Sequence, residues 1–68
     1  MKKRIPDGTT VTITGNLMGD GRTVYHDLKV GSKAITKKYY KIDDTYLVFG
    51  TVNKRLEIRH LLAKDITL

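Results

Sequence analysis

The stretch KAITKKYYKIDDTYLVFGTVNKRLEIRH, residues 33–60, decides the fold. Strand-like runs rich in β-branched and aromatic residues are separated there by two short polar steps, Asp43-Asp44 and Asn53-Lys54, each the length of a two-residue hairpin turn. Closing the second turn pairs Thr51 with Leu56, Phe49 with Ile58 and Leu47 with His60. Closing the first pairs Ile42 with Thr45 and Tyr40 with Leu47. Alternation then puts Tyr40, Ile42, Leu47 and Phe49 on the core face with Leu56 and Ile58, leaving Tyr39, Lys41, Tyr46, Val48, Glu57 and Arg59 outside. Ile35 and Tyr40 differ in parity although both read as core residues, so a bulge or sharp bend is expected around Thr36-Lys37-Lys38.

Working outward, residues 9–15 alternate with Val11 and Ile13 on one face and Thr10, Thr12 and Thr14 on the other. Residues 22–30 read as a second strand, with Val24, Leu28 and Val30 sharing a face with His26. A turn at Gly31-Ser32 then sets Leu28 opposite Ile35. Met18-Gly19-Asp20-Gly21 supplies a hairpin connection, and Leu61-Leu62-Ala63-Lys64 breaks the alternation before an extended end at residues 65–68. Val, Ile and Thr number twenty against two Ala, a strand-building composition. The expected fold is all-β: a five- to six-stranded bent antiparallel meander with one short helical turn near residues 61–64. Its layout resembles a small SH3-like or Sm-like barrel, as an architecture. An OB-fold would carry a helix where Asp43-Asp44 leaves no room. Residues 1–8 read as a basic tail and a Pro6-Asp7-Gly8 turn, and residues 9–68 as one barrel domain.

A chain of 68 residues holds a single small core, which excludes a two-domain enzyme and leaves little spare burial for a deep substrate cavity. Thirteen Lys and Arg against seven Asp and Glu give a net charge of +6, which favours polyanionic or acidic partners. With no cysteine there is no disulfide framework and no thiolate zinc site, and an intracellular, reducing, cytoplasmic setting fits best. The longest apolar run, Tyr46-Leu47-Val48-Phe49, is far shorter than a signal-peptide core or a membrane span, so no membrane partner is expected.

The candidate nucleic-acid-binding residues are Tyr39, Lys41, Tyr46 and Arg59 on the outer hairpin face. Lys37 and Lys38 at the bend, and Lys2, Lys3 and Arg4 in the tail, join them. Bases stack on aromatic rings and phosphates attract cations, so this mixture suits nucleic acid. The plainer alternative makes Tyr39 and Tyr46 cross-strand partners covering a thin sheet. His26 and His60 are the only histidines, and Asp27 points to the opposite face from His26, so no metal site or cofactor is expected. The glycine-rich step at residues 19–21 lacks a following helix and reads as a turn. The one serine, Ser32, sits in a turn and the chain reads as a non-enzyme.

Nucleic acid is therefore the first expectation for a partner. The rival is a compact protein–protein interaction module, of the kind viral and mobile elements often encode, which docks on an acidic surface of a larger host protein and inhibits or recruits it. A stripe of exposed aromatics and cations favours the first, and a flat apolar patch rimmed by charge favours the second. Homo-oligomers built through edge strands are a third expectation.

Overall fold

Asn53 and Lys54 both adopt positive φ, 51° and 65°, the backbone of a type I′ turn, whose twist matches that of the strands it joins. The computed structural model describes residues 4–18 and 20–68. Its strands are β1 (Thr10–Ile13), β2 (Lys33–Tyr40), β3 (Thr45–Val52), β4 (Arg55–Leu62) and β5 (Ile66–Thr67), with a 3₁₀ turn at Ala63–Asp65. All pairings are antiparallel, in the order β4-β3-β2-β1-β5. The sheet curls into a half-barrel of small SH3-like type with no α-helix among the described residues. Among the described residues no helix is long and apolar enough to cross a membrane.

The β3–β4 register is the one the two-residue turn dictates: Thr51 faces Leu56, Phe49 faces Ile58 and Leu47 faces His60. The expected irregularity in β2 is also present. Thr36 pairs with Val48 and Lys38 with Leu47, leaving Lys37 as the extra residue. The helical turn falls slightly later than expected because Leu61 and Leu62 are still paired to Tyr46 and Thr45.

Two expectations are corrected. Residues 22–30 form no strand; among the described residues the only strand-like pairing between β1 and β2 in sequence is an isolated Leu17–Val24 bridge. Leu28 instead drops into the half-barrel as a plug and does not pair with Ile35. It packs directly on the β3 backbone, where a Cβ added to Gly50 would lie 2.4 Å from Leu28 Cδ2. His26 holds the plug's backbone: Leu28 N donates to Nδ1 at 3.1 Å and Nε2 donates to Gly15 O at 2.8 Å. These two bonds place the ring proton on Nε2. The alternation in this segment therefore reflects one inserted side chain and a buried histidine, with no ladder.

The second correction is the facing of β2–β4. The turn at residues 41–44 has four residues, with Tyr40 paired to Thr45, and Ile42 is 96% exposed at its tip. Tyr46, Val48 and Gly50 face inward, together with Ala34, Thr36 and Leu61. Ile35, Leu56 and Ile58 point away from the core, at 45%, 68% and 43% exposure. The physical reason is volume. Ala34 lies opposite Gly50, and only that pair of small residues leaves space for Leu28 above the sheet; the bulkier Phe49 and Ile35 would fill it. Val11, Ile13 and Ile66 complete the core.

The segment before β1 is tied to the barrel. Thr36 Oγ1 donates to Pro6 O at 2.8 Å and accepts from Thr9 N at 3.0 Å, Gly8 N donates to Thr36 O at 2.6 Å, and Ile5 packs against the core.

Candidate docking face

The residues singled out for nucleic acid are divided between the two sides of the sheet. Tyr39 and Tyr46 are cross-strand partners with ring centroids 4.7 Å apart, but Tyr46 is buried and its hydroxyl accepts from Ile5 N at 2.8 Å. Tyr39 is half-buried and donates to Asp44 Oδ1 at 2.8 Å, a bond to a carboxylate that raises its hydroxyl above the usual tyrosine range. The Arg4 guanidinium carbon lies 5.9 Å from the Tyr39 ring centroid, and its Nη2 donates to Asp7 Oδ1 at 2.8 Å.

Arg59 also sits on the inward side. Its Nε and Nη2 grip the Asp27 carboxylate at 2.6 and 3.0 Å, and this fork holds Asp27 below the usual carboxylate range. Lys41 is exposed in the 41–44 turn. Lys37 and Lys38 are exposed, with Nζ 5.4 Å from the Phe49 ring centroid and 5.3 Å from that of Tyr40. Lys2 and Lys3 lie outside the described residues. The fold thus groups Arg4, Tyr39 and Tyr46, pairs Arg59 elsewhere, and leaves Lys37 and Lys38 beside rings that the sequence had assigned to the core.

Those rings belong to a surface that sequence reasoning missed. Across β2, β3 and β4, Ile35, Phe49 and Ile58 stand in one row, and Lys38, Leu47 and His60 in the next. Leu56 extends the apolar patch towards the Asn53-Lys54 turn. Tyr40 packs on His60 with centroids 5.1 Å apart, and His60 Nε2 is 2.5 Å from Thr45 Oγ1. No Asp or Glu occupies either row; Lys38 ends the second row at the sheet's β2 side, and the bulge residue Lys37 lies between the two rows. The outer face is therefore an apolar band with a cationic margin. The signal for it is apolar alternation on both faces of one hairpin, more than a thin sheet needs for a single core.

Other polar clusters serve the fold. Tyr25 donates to Asp65 Oδ2 and accepts from Leu62 N at 3.0 Å; burial and the Asp65 carboxylate push its hydroxyl up to about 12. The Asp20 carboxylate accepts from Thr23 Oγ1, Thr23 N and Arg22 N, which lowers its pKa to about 2 and organises its loop. Among the described residues no group of three His, Asp or Glu is placed to hold a metal ion. Comparison with protein families, characterised proteins and solved structures finds no match to this chain.

Proposed function

We propose that the chain is a non-catalytic binding module whose outer sheet face docks on a protein partner carrying an apolar patch with acidic surroundings. The observation that supports this reading is the row Ile35–Phe49–Ile58, widened by Leu47 and Leu56, with lysines on its border and no carboxylate within it. Contiguous exposed apolar surface with a charged rim suits protein recognition, and the +6 net charge steers an acidic partner towards it. A non-catalytic role fits the local commitments of the polar groups: Ser32 Oγ donates to Lys29 O at 2.5 Å, and both ring nitrogens of His26 hold backbone. An intracellular setting fits the cysteine-free composition.

The experiment is affinity capture from nuclease-treated cell extract by the wild-type chain and by the double variant Ile35→Ser/Leu56→Ser. Both positions are exposed, so the fold tolerates the change. Loss of the captured protein with the variant supports the reading, and equal recovery with both chains sinks it.

Nucleic acid is the second reading, favoured by Lys37 over Phe49 and Lys38 over Tyr40. On this reading the contributing residues are Lys37, Lys38 and Lys41 with the tail cations Lys2, Lys3 and Arg4, while Tyr39, Tyr46 and Arg59 act through the fold. Titration of a labelled oligonucleotide at two salt concentrations decides it: binding that weakens steeply with salt favours nucleic acid, and no binding at low salt rejects it.

A further inference from the structure

We propose that a second copy of this chain adds to the free edge of β4, antiparallel and centred on Ile58, making one continuous ten-stranded sheet from two five-stranded ones. The inference stands on the strand edge and does not rest on the docking face. The two outer strands of the sheet are unequal: β5 has two residues, while β4 has eight. A long open edge is the one that invites pairing.

The type I′ turn fixes which backbone groups β4 leaves open. In such a hairpin the flanking residues, Val52 and Arg55, are a hydrogen-bonded pair, and bonded pairs recur at every second residue. Arg55, Glu57, Arg59 and Leu61 therefore bond to β3, and Leu56, Ile58, His60 and Leu62 direct their N–H and C=O groups away from it. Leu62 N is taken by the Tyr25 hydroxyl. Among the described residues, no backbone bond outside the ladders reaches Leu56, Ile58 or His60. Arg59 Nη1 donates to Ile58 O at 2.8 Å, which still leaves that carbonyl a second lone pair.

Register follows from charge. Outward residues must meet outward residues, so two β4 edges can be centred on position 57, 58 or 59 within the open segment. Centring on 57 sets Glu57 against Glu57, and centring on 59 sets Arg59 against Arg59. Centring on 58 sets Glu57 of each copy against Arg59 of the other, with Ile58 against Ile58 and Leu56 against His60. Opposite charges directly across an antiparallel pair are favourable and like charges are not. The same register joins the two Ile35–Phe49–Ile58 rows end to end.

The test is sedimentation of the full chain over a wide concentration range, combined with cysteine cross-linking, which the cysteine-free sequence makes clean. In the proposed dimer the two Cα atoms of position 58 lie about 5.5 Å apart, within the span of a disulfide. The two positions 56 are roughly 14 Å apart and outside it. We expect concentration-dependent dimers, rapid oxidation of Ile58→Cys to a covalent dimer and little from Leu56→Cys. Ile58→Lys places like charges face to face and weakens association roughly fivefold or more. A wild-type chain that stays monomeric at every concentration overturns the proposal. So does a dimer in which Leu56→Cys cross-links as readily as Ile58→Cys, or one that Ile58→Lys leaves unchanged. Because no partner is added, failure here is distinct from failure of the docking reading.

Discussion

Tyr25 links three parts of the chain through one oxygen: the connection after β1, the buried Asp65 and the end of β4. Its hydroxyl ionises near 12 in the fold against 10.0 ordinarily. The folded state therefore keeps a proton that the unfolded chain releases first, so this contribution is complete below about pH 10 and is lost as pH rises towards about 12. Tyr25→Phe is expected to cost about 1–3 kcal/mol at neutral pH, through the Leu62 amide and the Asp65 Oδ2 that lose their partner. It should also remove the ionisation near pH 12 from a tyrosinate absorbance titration. Urea unfolding and that titration check the two effects. At Gly50 the constraint is space: Gly50→Ala drives a methyl into Leu28 and is expected to cost about 1–3 kcal/mol. Leu28→Ala alone should cost about 2–5 kcal/mol. If the plug is what makes glycine necessary, the double variant loses clearly less than the sum of the two.

Among the elements, the β3–β4 hairpin states its geometry most plainly. Lys54 holds φ at 65° without being glycine, so Lys54→Gly should relieve left-handed strain and raise stability by about 0.5–1 kcal/mol after glycine's entropy cost, measured as a higher urea midpoint. This hairpin also shows how far the sequence could be read. Its register followed from the spacing of Asn53-Lys54; β1 followed from Val11 and Ile13, and the irregularity at Lys37 followed from a parity conflict. Direction was different. Both faces of β2–β4 carry large apolar residues, so alternation located two faces without ranking them. What ranks them is the Ala34–Gly50 gap and the Leu28 that fills it, a contact between distant parts of the chain with no local signature. Inverting the faces sent Tyr46 inward and Phe49 outward, so the candidate site kept Lys37 and Lys38 and lost its tyrosine pair. Residues 22–30 were illegible for a related reason: a single plug residue and a buried histidine imitate the period of a strand.

For the whole molecule, the division of labour is between a concave side closed on Leu28, Tyr46 and Leu61 and an outer side left apolar with a basic border. Closure by Leu28 has a consequence for motion. No ladder pair of the β2–β3–β4 meander involves residues 20–32, so opening of that segment is expected to leave the meander's pairing intact. The molecule should then possess two opening free energies, a smaller one for this segment and the global one for the meander. Native-state hydrogen exchange would show the His26-anchored Leu28 amide exchanging well before those of β3, and Leu28→Ala would widen that gap. On this expectation the barrel is a cup with its own stopper: the meander carries the outer apolar face, and Leu28 sets how often the interior meets water.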